Sequence, residues 1–94
     1  MKVRWTLPAA DQLREVYDFI AAGNLPAARR TVERIRLAIR IASVMPLSGR
    51  PGRTAGTREL TVPNTPYIVA YKIDSNHLHV LEVWHGARLW PESF

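Results

Sequence analysis

The stretch "AAGNLPAARRTVERI", Ala21 to Ile35, decides how this chain folds. It closes one helical pattern and opens another, with two residues between them. Asn24 suits a helix start, because its side chain accepts a hydrogen bond from a free N–H of the first turn. Pro26 fits that turn, since the N–H it lacks had no intrahelical partner there. Gly23 suits the left-handed position that ends a preceding helix. The same grammar occurs upstream in "TLPAADQLREV" from Thr6: a capping residue, then Leu, Pro and two Ala. Beyond the caps the two stretches diverge, so they mark two helix starts and not a repeat.

The first helix is expected from Pro8 to Ala22 and the second from Leu25 to Met45. Leu13, Val16, Tyr17 and Ile20 recur at helical spacing and make one apolar stripe. In the second helix Ala28, Val32, Ile35, Ile39 and Ala42 line one face, with Leu37, Ile41 and Val44 as a flanking stripe. Arg29, Arg30, Arg34, Arg36 and Arg40 take the rest. Two stripes predict cover on two sides, from a sheet and from the first helix. Only Gly23 and Asn24 join the helices, so they form an antiparallel hairpin.

Strand patterns follow: "TRELTV" (Thr57–Val62), "PYIVAYKI" (Pro66–Ile73) and "HLHVLEVWH" (His77–His85), with a turn at Asp74, Ser75 and Asn76. "KVRWT" reads as a short N-terminal strand, and "PLSGRPGRTAG" (Pro46–Gly56) as a plain connection from helix to sheet. The expected fold is α+β, one domain over residues 1–94: an N-terminal strand, an antiparallel helix hairpin, then a three-stranded antiparallel meander with both helices on one face. Strands apolar on both faces are covered on both sides. Two helices cover one, so the other face is expected to meet a partner.

Charge narrows the partner. The chain of 94 residues has 13 basic and 8 acidic residues, net +5. Eight Arg and one Glu lie between Leu25 and Arg58, net +7, which leaves −2 for the rest. Arg makes bidentate bonds to carboxylate and phosphate, so the expected partner is acidic, a nucleic acid or a protein. There is no Cys, hence no disulfide framework or thiolate site. The basic N-terminus lacks the apolar run of a signal peptide, and no segment has the length to span a membrane. A cytoplasmic protein with no cofactor is expected.

The order of these pieces resembles the RelE/ParE superfamily of bacterial toxins from type II toxin–antitoxin pairs. The matching stretches are "PAADQLREVYDFIA", "NLPAARRTVERI", "MPLSGRPG", "TREL", "PYIVAYKI" and "VWHGARLWP", across essentially the whole chain. The Gly-Arg loop, the Arg-Glu-Leu strand and the terminal His-Gly-Ala-Arg look more like the ParE branch. The resemblance implies a small toxin held by an acidic antitoxin in a hetero-oligomer, with the antitoxin wrapped around it. ParE-type toxins poison DNA gyrase; RelE-type toxins cut mRNA in the ribosome.

The residues themselves give two readings. Metal-free RNA cleavage needs a base, an acid and cationic clamps held together. His85 has the pKa range for proton transfer, Arg58 and Arg88 could clamp phosphate, Glu59 or Tyr71 could assist, and Trp90 or Phe94 could stack on a base. RelE-type enzymes, however, place several cations on the central strands. Here the strand cations are Lys2, Arg4, Arg58 and Lys72. The structural reading makes His85 a ring bonded to backbone at a strand end, Arg88 a partner of Glu59 or Glu82, and Gly86 a tight turn. It is the reading we favour. Arg50, Arg53, Arg58, His85, Arg88 and Trp90 are then candidates for binding the antitoxin or the target. His77 and His79 share a strand face, but no third ligand or Cys lies near, so no metal site is expected.

Overall fold

Each helix begins on the cap that the sequence provides. In the computed structural model, which describes residues 1–87, α1 spans Leu7–Ala21 and α2 spans Leu25–Val44. The Thr6 hydroxyl accepts from Ala9 N at 3.3 Å, and Asn24 Oδ1 accepts from Ala27 N at 3.0 Å. Gly23 does not take the left-handed conformation. The chain leaves α1 on a tight turn instead, with Gly23 N donating to Ile20 O at 3.0 Å.

Five strands make one sheet: β1 (Lys2–Trp5), β2 (Arg50–Pro51), β3 (Arg58–Thr61), β4 (Tyr67–Asp74) and β5 (His77–His85). Their order is β1-β5-β4-β3-β2. The fold is α+β, as expected, with two differences in the sheet. The Pro46–Gly56 stretch is more than a connection, because Arg50–Pro51 pairs antiparallel with β3 and makes a hairpin. β1 lies parallel to β5, with Arg4 opposite His79 and Trp5 opposite Val80. Between β4 and β5, Ser75 and Asn76 both have positive φ, 51° and 60°. That is the backbone of a tight two-residue hairpin whose twist matches its strands.

The register decides which side chains meet the helices. Tyr71 opposes Val80 while Ala70 opposes Glu82, so Leu81 is an extra residue in β5. That bulge brings Leu78, Val80 and Val83 to one face, with Val69 and Tyr71 beside them. All five are buried against Ile35, Ile39, Leu13 and Val16 of the hairpin. Ala9 and Ala28 are fully buried as well. No helix among the described residues is long and apolar enough to cross a membrane.

The flanking stripe of α2 is a correction. Leu37, Ile41 and Val44 are 50%, 49% and 79% exposed. They point away from both α1 and the sheet. The inner face already holds Ile35, Ala38, Ile39 and Ala42, and a hairpin laid on one sheet face buries one side of each helix. Ile35→Ala should therefore cost about 2–5 kcal/mol, the range for truncating a fully buried aliphatic. Leu37→Ala should stay within about 0.5 kcal/mol. Urea denaturation of the two variants checks this, and equal losses would show that α2 is rotated differently.

Candidate functional site

The Gly-Arg loop is built into the scaffold by two buried polar groups. Tyr71 is 1% exposed, and its hydroxyl accepts from Gly49 N at 3.0 Å and donates to Pro46 O at 2.8 Å. A Cβ on Gly49 would lie 2.6 Å from that hydroxyl, so only Gly fits there. Glu59 is 6% exposed and faces the other side of the sheet. It accepts from Arg50 Nη2 at 3.3 Å and from Arg53 N at 3.1 Å. A buried carboxylate needs such partners, and the loop supplies both.

The remaining sequence candidates are placed apart from one another. Arg58 lies opposite Tyr71 on β3, and its Nη1 donates to Gly49 O at 2.7 Å. His85 lies opposite Tyr67, four residues further along β4. At about 3.3 Å per residue, that separates the two rows by about 13 Å. His85 Nδ1 accepts from Ala87 N at 3.1 Å, and its ring stands edge-on to Tyr67 with centroids 5.4 Å apart. The structure thus brings Arg50 to Glu59 and Arg58 to the loop, but does not bring Arg58 to His85. Tyr71 and Glu59, candidate helpers in RNA cleavage, are buried in the bonds just described. Arg88, Trp90 and Phe94 lie outside the described residues. Glu82, named as a possible partner for Arg88, accepts from Gln12 Nε2, while Gln12 Oε1 accepts from Val83 N at 2.7 Å. Gln12 thereby continues the edge of β5 where β1 has turned away into α1.

A different site emerges beside β1. Its edge and the helix hairpin enclose a cleft of about 760 Å³. Val3, Trp5, Leu13, Val32 and Ile39 form an apolar floor, with Tyr17 at the side. Arg14, Arg29, Arg36 and Arg40 line the rim, against one acid, Glu33. On α2 the spacing 29, 33, 36, 40 explains the rim, since residues three and four apart share one side of a helix. Those positions were legible as a charged helix face. What hid the site is that its floor comes from β1, about thirty residues away in sequence.

A helix hairpin on one face of a five-stranded sheet, with a cationic cleft at its edge, defines a class. It is the fold of toxins from type II toxin–antitoxin systems. A chain of the chromosomal ParDE system of P. aeruginosa matches with a TM-score of 0.81, covering 90% of this chain and 95% of that chain at 24% identity. A chain of the RelBE2 toxin–antitoxin complex from Mycobacterium tuberculosis matches with a TM-score of 0.61 at 28% identity, covering 89% and 95%. In sequence, the toxin Y4kP of Sinorhizobium fredii is 41% identical over 97% of this chain and 94% of its own. Toxin RelE2 of Caulobacter vibrioides is 33% identical over 94% of this chain and 98% of its own. Residues 3–90 match the family of ParE toxins of type II toxin–antitoxin systems, and the chain belongs to that family.

The Tyr71 anchor gives a direct test of the loop. Tyr71→Phe leaves the buried Gly49 N–H without an acceptor, which should cost about 1–3 kcal/mol. Hydrogen exchange at the Gly49 amide should speed up in step. Unchanged stability and protection would mean that the loop is held by other contacts.

Proposed function

We propose that this toxin is neutralised by an acidic antitoxin encoded beside it, and that an amphipathic segment of the antitoxin occupies the cleft between β1 and the helix hairpin. The carrying observation is the pairing of an apolar floor with a rim of four Arg and one Glu. A segment with apolar residues on one side and carboxylates on the other satisfies both. The floor favours affinity, and the rim favours fast, selective capture. The P. aeruginosa and M. tuberculosis neighbours belong to systems or complexes named as toxin with antitoxin, which supports the same partner here.

The proposed target of the free toxin is DNA gyrase, as for other toxins of the ParE branch. Physical chemistry supports this over RNA cleavage through the use the candidate residues already have. Tyr71 and Glu59 are buried and bonded, Arg58 is bound to a loop carbonyl, and His85 takes a backbone N–H at its own strand end. A general acid or base must sit beside the clamp for the phosphate, and His85, opposite Tyr67, lies four residues along β4 from the position of Arg58, opposite Tyr71. The same uses weigh against the RelE-like alternative, a ribosome-dependent mRNA endoribonuclease.

Two experiments test these parts separately. Arg36→Glu with Arg40→Glu reverses two exposed rim charges and should leave folding intact. Affinity for the antitoxin should fall at least about tenfold, about 1.4 kcal/mol, and the residual binding should depend less on salt. Unchanged affinity would place the antitoxin elsewhere. For the target, purified toxin should block gyrase supercoiling and leave ribosome-bound mRNA intact. His85→Ala should lower stability, with activity following in proportion. Ribosome-dependent cleavage that His85→Ala abolishes in a normally melting protein would replace gyrase poisoning with catalysis, since a catalytic His contributes about 10²–10⁴-fold.

A further inference from the structure

The flank of α2 turned away from the cleft carries a run of uncovered apolar side chains. Leu37, Ile41 and Val44 stand there at helical spacing, and Met45 and Leu47, 59% and 73% exposed, continue the run past the helix end. The cleft uses the other flank, at Arg29, Val32, Arg36 and Arg40. Arg34, one turn before Leu37, shows which way the run faces: its Nη1 donates to Asn64 O at 3.3 Å, between β3 and β4. From Ile41 to Gly49 the chain has no charged residue. The far end of the run is fixed, because the Tyr71 hydroxyl holds Pro46 O and Gly49 N. A firmly held apolar patch of this kind marks an interaction surface.

Charge selects the occupant. A nucleic acid or an acidic peptide needs cations, and between Ile41 and Gly49 it meets none, whereas the cleft offers it four. A second copy of the same run satisfies both ends when the two helices are antiparallel. With Leu37 set against Val44 of the second copy, Ile41 comes beside its own counterpart on the two-fold axis, and Arg34 beside Leu47. The row of Leu37, Ile41 and Met45 is an i, i+4 ridge of the kind that packs helix against helix. Arg34 then stands at the C-terminal end of the facing helix, its negative pole. That helix has no basic side chain in its last turn. The Met1 amino group takes one carbonyl there, Ser43 O at 3.2 Å, and the guanidinium adds to it. A parallel pair would set Arg34 against Arg34 and bring no such cation to either pole.

We propose that a second copy of this chain covers the run, α2 against α2 in antiparallel sense about a two-fold axis at Ile41. The interface is isologous, so it closes as a dimer and adds no further copies. Five partly exposed side chains fall short of the about 800 Å² per partner of a standard interface, so the dimer is weak. The run shares no residue with the cleft, and the proposal does not depend on where the antitoxin binds.

Sedimentation velocity of the purified toxin, from about 1 to about 500 µM, tests it. Wild type should pass from monomer to dimer within that range. Leu37→Gln/Val44→Gln, at two exposed positions, should melt as wild type does and weaken pairing about tenfold or more. Arg34→Gln should weaken it about threefold or more, through two lost contacts with helix poles. Arg29→Gln/Arg36→Gln, on the cleft flank, should leave it within about twofold. The chain has no Cys, so Ile41→Cys gives a positional readout. At the close point of a helix crossing about 8–10 Å wide the two sulfurs come within disulfide reach, and oxidation should link the dimer. Phe19→Cys, at a more exposed position on α1, should stay unlinked at the same concentration. Linking of Phe19→Cys as fast as Ile41→Cys would overturn the proposal, as would pairing of Leu37→Gln/Val44→Gln as tight as that of wild type. A monomer at every concentration would overturn it too. Binding of that monomer to anionic vesicles, lost in Leu37→Gln/Val44→Gln, would then assign the run to a lipid surface, and protection of its amides only in the antitoxin complex would assign it to the antitoxin.

Discussion

Two helices joined by three residues are narrower than five strands. Gly23 and Asn24 leave no room for the helices to splay at that end, and the buried Ala9 and Ala28 let them approach closely. The hairpin covers β1, β5 and β4 on one sheet face and leaves a cleft where α1, α2 and β1 meet. Everything distinctive about the surface follows from that mismatch. The cleft opens between β1 and the two helices, and among the described residues the opposite face carries no helix. A toxin held by an antitoxin needs such unfinished surface. Burial of an apolar floor by a partner also stabilises the fold by mass action, since only the folded chain presents it.

Polar groups complete what the narrow hairpin leaves undone. Tyr71 reaches out of the core to hold the loop at Gly49 and Pro46, and Glu59 gathers Arg50 and the Arg53 amide on the other face. Gln12 bonds the β5 edge beyond the end of β1. These bonds use several residues that chemistry would otherwise nominate as an active site. The Arg side chains with freedom to meet a partner are those of the α2 face and of β1, not those of the loop.

How much of this was legible in sequence depended on range. The helix starts were, because Thr6 and Asn24 act on N–H groups three residues away. The strands of the meander and the turn at Ser75 and Asn76 were legible for the same local reason. The two-residue strand at Arg50–Pro51 was not: it exists through Glu59 and through the contact of Gly49 with Tyr71, 22 residues apart. The parallel placing of β1 rests on pairing across the full length of the chain. Leu37, Ile41 and Val44 misled because apolar spacing on a helix does not say whether the cover comes from the same chain. Of the site, the Arg positions on α2 could be read as one face, while the Val3 and Trp5 floor could not.

The most direct measurement of the central claim is the hydrogen-exchange footprint of the antitoxin on the folded toxin. If an acidic amphipathic segment fills the cleft, amides of β1 and of α2 between Arg29 and Arg40 should gain protection in the complex, with α1 around Leu13 to Tyr17 beside them. Protection confined to the Gly-Arg loop and the end of β5 at His85, with β1 and α2 exchanging as in the free toxin, would contradict it.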